Sequence, residues 1–206
     1  MSIKELLYPI AGDRTEGAHL WDVDGNRYVD ISMDFGVNLL GHGASVLRDA
    51  QREQWNTSIA LGPRPNLAGE AAERLCRMTG MDRAVFCQSG TEAVMTAMRL
   101  ARLATRRQKV AIFRNSYHGH SDGVLVGSIE LDGVITQHPA APGVSEGVAR
   151  DVLLLDYGTA EALETICRQG GELAAVLVEP VQSRHPELQP RDFLHEVRRI
   201  TEASGT

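Results

Sequence analysis

The spacing of apolar and polar positions predicts strands and helices in alternation over most of the chain. Continuous apolar runs predict buried strands near 83–87, 109–113, 152–155 and 174–178. Apolar residues at helical spacing predict helices near 44–56, 67–79, 91–106, 159–169 and 191–203. This alternation indicates an α/β fold, in which helices flank a mainly parallel sheet.

The N-terminal part has a different pattern. Two short alternating segments surround Asp24-Gly25-Asn26, which is a strong signal for a β-hairpin. We therefore expect a small hairpin-containing segment over 1–65 and a larger domain over 66–206. The stretch 118–150 has few regular signals and several glycines, so it is expected to be a long loop.

Composition limits the classes of function. The chain has 206 residues, of which 43% are hydrophobic and 23% are charged, and this balance is typical of a globular protein. A net charge of -6 argues against a nucleic-acid partner, and no apolar run is long enough to span a bilayer. Three widely spaced cysteines indicate reduced thiols in a cytoplasmic protein, without a disulfide or a metal site.

A candidate anion site lies where the first predicted strand meets a helix, at Ser89-Gly90-Thr91. The first amides of a helix lack partners within the helix, and the helix dipole adds positive charge there, so a phosphate dianion would fit. Gly90 is expected to let the backbone turn tightly. The same residues also fit an ordinary helix cap, and Glu92 in the first turn is expected to support that cap.

An aromatic residue, Tyr117, follows the next predicted strand. A phosphate site after one strand and an aromatic ring after the next suit a planar, phosphorylated ligand. His118 and His120 lie nearby, but no carboxylate or cysteine completes a metal-ligand pattern. We expect these two histidines to make local hydrogen bonds and not to bind a metal.

Six motifs occur in an order that resembles the class III aminotransferases, pyridoxal-phosphate enzymes of fold type I. They span nearly the whole chain: Trp21–Asn26, Gly41–Gly43, Ser89–Ala93, Tyr117–His120, Ala141–Val144 and Glu179–Gln182. The glutamate-1-semialdehyde aminotransferase group is the most similar variety. The sequence near 80–95 and 176–194 is also similar to that of aminotransferase domains in polyketide and nonribosomal peptide synthetases.

The resemblance implies roles for the cofactor-binding residues. Ser89, Gly90 and Thr91 would hold the phosphate of pyridoxal 5′-phosphate, and Tyr117 would stack on its ring with His118 beside it. Gln182 would donate a hydrogen bond to the phenolic oxygen of the cofactor. The segment Glu179–Gln182 differs from that of the semialdehyde enzymes, in which it ends in Gly-Asn. The resemblance therefore does not identify the substrate.

Three further residues are candidates for contacts with the cofactor or the substrate. Glu179 would either bind the cofactor or form a structural salt bridge. Phe35 would either line the substrate pocket or be a core aromatic residue. Arg64 could meet a substrate carboxylate, because family members build each active site across a homodimer.

Lysine is scarce, since Lys4 and Lys109 are the only two in the sequence. The resemblance requires a Schiff-base lysine and an aspartate for the pyridine nitrogen, and both would lie beyond Thr206. We therefore expect an N-terminal part of an aminotransferase, with no catalytic residue of its own and no turnover in isolation. Lys109 is expected to be a surface charge.

The expected function is amino-group transfer from an amino-acid donor to a carbonyl acceptor, which could be an acyl chain on a carrier protein. One alternative is a glutamate-1-semialdehyde 2,1-aminomutase. Another is a nucleotide-binding α/β module, although no Gly-x-Gly-x-x-Gly motif follows a strand.

Overall fold

The computed structural model describes residues 10–56, 66–131 and 134–206, without the side chains of 130–135. Its contacts divide the chain into two compact units, Met1–Arg83 and Ala84–Thr206. The boundary lies later than the expected one after residue 65, because the helix Asn66–Thr79 belongs to the first unit. None of the described helices is long and apolar enough to cross a membrane.

The first unit contains an antiparallel three-stranded sheet in the order β1 (Gly12–Glu16), β2 (His19–Asp22) and β3 (Arg27–Val29). The β2–β3 hairpin is the predicted one, whereas β1 was not predicted. Two helices follow in the chain, α1 (Ser45–Asn56) and α2 (Asn66–Thr79), close to the predicted bounds.

Met33–Phe35 form a left-handed turn in the first unit. The three residues have φ values of 44°, 54° and 56°, and left-handed backbone costs about 1–2 kcal/mol per non-glycine residue. Asp30 stabilises the turn, because its Oδ1 accepts hydrogen bonds from Ser32 and from the Met33 amide. The other oxygen of Asp30 lies 2.7 Å from His42 Nε2.

The second unit is built on a parallel sheet in the order β7-β4-β8, with β4 in the centre. These strands are β4 (Lys109–Phe113), β7 (Val152–Leu155) and β8 (Leu173–Val176). The helices of this unit are α3 (Gly90–Thr105), α4 (Glu146–Arg150), α5 (Ala160–Gln169) and α6 (Arg191–Ser204). Strand β4 is buried almost throughout, as its continuous apolar run predicts.

Successive side chains of β4 point to opposite faces of the sheet, so the unit has two hydrophobic clusters. On one face Phe113 packs against Tyr157 and Phe193, with ring centroids 5.2 and 5.6 Å away. On the other face Ile112 packs in a cluster that includes Met98 of α3. The two clusters fix the helices on the sheet and hold the loops at its edge.

Two predictions in this unit were wrong. Residues 83–87 form no strand, because no described residue supplies a hydrogen-bonding ladder for them, and Val85 and Phe86 are exposed. The stretch 118–150 is not one long loop. It contains the antiparallel hairpin β5 (Val126–Leu131) and β6 (Val134–Pro139), followed by α4.

Candidate functional site

The start of α3 is closed by a reciprocal cap. Ser89 is the N-cap residue, with extended φ and ψ of -146° and 161°, and its Oγ accepts a hydrogen bond from the Glu92 amide at 3.3 Å. The Glu92 carboxylate in turn accepts from the Gln88 amide at 2.8 Å. This arrangement confirms the expected role of Glu92 in supporting the cap.

Two amides at this helix end remain available to a ligand. Among the described residues, none accepts a hydrogen bond from the amides of Gly90 and Thr91. A Cβ added to Gly90 would meet no atom within 4 Å, so the space beside this amide is open. The expectation of a glycine-dependent turn was wrong, because Gly90 is not in the left-handed region and begins the helix itself.

The loop after β4 lies directly against this helix end. The Thr91 hydroxyl is 3.2 Å from His120 Nδ1, and the His120 amide donates to it at 3.4 Å. Gly119 has φ of +91°, and a Cβ there would lie 2.5 Å from Thr91 Oγ1. The α3 N-terminus and the loop that carries Tyr117 thus meet at the carboxyl edge of the sheet, where ligands of open α/β folds bind.

Glu179 holds the backbone of this loop. Its two carboxylate oxygens accept hydrogen bonds from the Tyr117 amide at 2.9 Å and from the Ser183 amide at 2.8 Å. Desolvation is the largest influence and raises the pKa of Glu179, but these amide bonds together lower it, and the net shift is downward. The Tyr117 side chain itself is 58% exposed, so its ring face is accessible.

Gln182 lies beneath the loop and is almost fully buried, at 1% exposure. Its Nε2 donates to the Arg114 carbonyl and to Ser116 Oγ, both at 2.8 Å. Both amide hydrogens are therefore used within the protein, which differs from the expected donation to the cofactor. In this structure Gln182 fixes the segment between β4 and Tyr117.

The two histidines of the loop have different surroundings. His118 is buried, and its Nε2 has no hydrogen-bond partner among the described residues. Desolvation lowers the pKa of His118, and the nearby Glu179 charge opposes the shift only in part. His120 is exposed and contacts Thr91. Across the described residues, no group of three His, Cys, Asp or Glu side chains is arranged to hold a metal ion.

The aminotransferase class-III family profile matches residues 2–206. The chain belongs to this family.

Similar proteins and solved structures agree with this assignment. Glutamate-1-semialdehyde 2,1-aminomutase of Chloroflexus aggregans is 37% identical over 201 residues, which cover 96% of this chain and 45% of that relative. The enzyme of the same name from Roseiflexus castenholzii is 40% identical over 196 residues, with coverages of 93% and 45%. The chain thus spans about half the length of the curated relatives that it matches.

An omega-transaminase from Sphaerobacter thermophilus superposes with a TM-score of 0.89 at 30% identity, covering 96% of this chain and 47% of that one. A structure described as a transaminase with PLP bound has a TM-score of 0.86 at 31% identity, with coverages of 97% and 47%. These similarities confirm the expected α/β architecture of fold type I.

Lys109 lies away from the candidate site. It opens β4, whereas Tyr117 follows the other end of that strand, and its Nζ pairs with Glu172 Oε2 at 2.7 Å. Lys109 is therefore a surface ion pair at the opposite edge of the sheet, as expected from the sequence.

Phe35 and Arg64 are the two residues that were expected to contact the substrate. Phe35 belongs to the first unit and its side chain is 98% exposed. Among the described residues, Phe35 is therefore not a core aromatic residue. Arg64 lies outside the described residues.

Sequence reasoning missed two contacts of the site. It expected only local hydrogen bonds for His120 and gave no role to Ser183, whose amide binds Glu179. The Thr91–His120 contact joins residues 29 positions apart, so no local pattern could have indicated it.

Proposed function

We propose that this chain provides the part of a class-III aminotransferase that binds pyridoxal 5′-phosphate. The observation that carries the proposal is the Thr91–His120 contact, because it brings the open amides of α3 and the exposed ring of Tyr117 to one edge of the sheet. The complete enzyme would move an amino group from a small-molecule amino donor to a carbonyl acceptor.

The residues of the site fit this cofactor in charge and shape. The amides of Gly90 and Thr91 and the Thr91 hydroxyl offer donors to a phosphate at the positive end of a helix dipole. The Tyr117 ring offers a flat, accessible face for stacking on a pyridine. When bound, the cofactor supplies an electron-withdrawing pyridine ring that stabilises negative charge at the substrate α-carbon.

The role of this chain is to bind and orient. The α3 amides would fix the position of the phosphate, and Tyr117 would fix the plane of the ring. Glu179 would keep Tyr117 in place through its amide, and Gln182 would do so through Ser116. His118 would be a neutral, buried group next to Tyr117, since desolvation lowers its pKa.

We expect the isolated chain to bind the cofactor without turnover. The one described lysine, Lys109, is paired at the other edge of the sheet, so no described amine can react with the cofactor aldehyde at this site. Substrate contacts by Phe35 and Arg64 and a homodimeric active site are proposals that rest on the family resemblance. A cytoplasmic location is a proposal that rests on the three widely spaced cysteines.

A glutamate-1-semialdehyde 2,1-aminomutase is the second candidate, because similar proteins carry that name at 36–40% identity. One solved aminomutase, from Pseudomonas aeruginosa PAO1, was crystallised in complex with PMP and has a TM-score of 0.80 at 25% identity, covering 96% of this chain and 44% of that one. A carrier-bound acyl acceptor would instead place the chain with synthetase-associated aminotransferases. Turnover assays of a complete enzyme with each substrate would separate these candidates.

Calorimetric titration of the purified chain tests the proposal without requiring turnover. Pyridoxamine 5′-phosphate should bind at least about tenfold more tightly than pyridoxamine, because each hydrogen bond to the charged phosphate contributes roughly 1.5–3 kcal/mol. NAD is the comparison ligand for a nucleotide-binding module. Equal affinity for the two pyridoxamines, or tighter binding of NAD, would overturn the proposal.

A further inference from the structure

We propose that His120 is a positioning residue that turns the Thr91 hydroxyl group toward the phosphate of the bound ligand. The inference rests on the proposed function and assigns a role to a residue for which the sequence suggested only local hydrogen bonding. The inference follows from which groups use the hydrogen and the two lone pairs of the Thr91 hydroxyl.

A threonine hydroxyl has one hydrogen to donate and two lone pairs that accept. The backbone amide of His120 donates to Thr91 Oγ1 at 3.4 Å and so occupies one lone pair. The imidazole Nδ1 of the same residue lies 3.2 Å from Oγ1 and can act as donor or acceptor, depending on where the ring carries its hydrogen.

The two states of the ring have opposite consequences for Thr91. If Nδ1 carries a hydrogen, it fills the second lone pair, and the hydroxyl hydrogen remains free to donate elsewhere. If Nδ1 is bare, the hydroxyl hydrogen is directed to it and is lost to a ligand. A phosphate oxygen at the helix end favours the first state, because a hydrogen bond to an anion is stronger than one to a neutral imidazole.

The backbone keeps His120 in this position. Gly119 adopts φ of +91°, and its Cα lies so near Thr91 that an added Cβ would be 2.5 Å from Oγ1 and 3.0 Å from the Thr91 Cα. The loop therefore sits against the first turn of α3, and the backbone nitrogen and Nδ1 of His120 both face the same oxygen. Because the side chain of His120 is exposed, its ring can exchange hydrogens with solvent.

The test is a double-mutant cycle read out as binding of pyridoxamine 5′-phosphate, with pyridoxamine as the control ligand. The variants are Thr91→Val, which removes the hydroxyl and keeps the shape, His120→Phe, and the combination of the two. His120→Phe should weaken binding of the phosphorylated ligand about fivefold to tenfold and leave pyridoxamine unaffected. In the Thr91→Val background, His120→Phe should cause no further loss.

His120→Asn provides a rescue, because the asparagine amide places an N–H donor close to the position of Nδ1. It should recover most of the affinity that His120→Phe loses, a result that a general packing role for the imidazole would not produce. Thermal unfolding of each variant checks that it is folded, which is expected because His120 is exposed and Thr91→Val keeps the shape of a half-buried side chain.

Two results would overturn the inference while the proposed function stands: additive losses in the double mutant, or His120→Asn as weak as His120→Phe. In both cases the original chain would still prefer the phosphorylated ligand. Absence of that preference in the original chain would overturn the proposed function and the inference together.

Discussion

The two ends of the central strand β4 differ in which helix termini lie beside them and in what those termini contact. At its carboxyl end, the first turn of α3 presents open amides, and the Gly119–His120 loop contacts Thr91. At its amino end the helices terminate, and a single side chain, Arg107, donates to four carbonyls. The acceptors are those of Gly170, Leu173, Ser204 and Gly205.

The difference follows from the direction of the helices. In a parallel α/β sheet every flanking helix runs antiparallel to the strands, so helix N-termini meet at one edge and C-termini at the other. The positive edge suits an anion, whereas the negative edge is neutralised by a guanidinium group of the chain itself. The proposed ligand site and the Arg107 contacts thus lie at opposite edges of one sheet.

The largest expected effect is on stability, from Arg107→Met. This change leaves several partly buried carbonyls without their charged donor, so the free energy of unfolding should fall by about 3 kcal/mol. Urea unfolding measures it, with Arg168→Met on the exposed side of α5 as the control. Affinity for pyridoxamine 5′-phosphate in the folded state should not change. A loss of affinity in Arg107→Met would contradict the assignment of ligand binding and stability to opposite edges of the sheet.

Gly119→Ala should have the next largest effect, at the opposite edge. The new Cβ would collide with Thr91 Oγ1, and the φ of +91° would be strained, at a cost of about 1–2 kcal/mol. Binding of the phosphorylated ligand should weaken about tenfold or more, measured by calorimetry. Gly171→Ala, where a Cβ meets no atom within 4 Å, is the matched control. Full ligand affinity in Gly119→Ala would show that the loop does not position Thr91.

Glu179→Gln should cause a smaller, pH-dependent loss of stability. The pKa of Glu179 is lower in the folded protein than its ordinary value of 4.5, so the charged carboxylate stabilises the fold above that pH. This contribution is lost as the pH falls through the folded pKa. The difference between the original chain and the variant should therefore be present at neutral pH and shrink below pH 4.5.

Urea unfolding at several pH values measures this difference, and Glu164→Gln on the exposed side of α5 is the control. A difference that stays constant down to the acid limit would contradict the assigned hydrogen bonds to the Tyr117 and Ser183 amides.

Lys109→Met should have the smallest effect of the four. Its ion pair with Glu172 is solvent-exposed, and exposed pairs contribute little to stability. Because it lies at the edge away from the site, binding of pyridoxamine 5′-phosphate should be unchanged in a calorimetric titration. Loss of binding would place Lys109 at the site and reverse the assignment of the two edges.

The sequence predicted those parts of the second unit that have strong local signals. The strands β4, β7 and β8 and the long helices appear close to their predicted bounds, because buried apolar runs and caps act locally. The run at 83–87 has the composition of a strand, but a strand also needs a neighbour to bond with, and none of the described residues provides one. Periodicity alone carries no information about that neighbour.

The β5–β6 hairpin, which was not predicted, has a local signal in the sequence. Asp132-Gly133 separates two runs with β-branched residues, which is a recognised hairpin pattern, but the surrounding glycines favoured a loop. The site itself was only partly predictable. Ser89 could be recognised as a cap from local sequence, whereas the contacts of Glu179 and Gln182 join distant segments that only the folded sheet brings together.

The Arg107 side chain also sets an order of events during protein synthesis. Its acceptors at Ser204 and Gly205 are made 97 and 98 residues after it, so the ribosome must release α6 before this guanidinium can be satisfied. In a shorter nascent chain the guanidinium has only the carbonyls of Gly170 and Leu173 as acceptors. Such chains should be cleaved more readily by proteases than chains in which α6 has docked on the sheet.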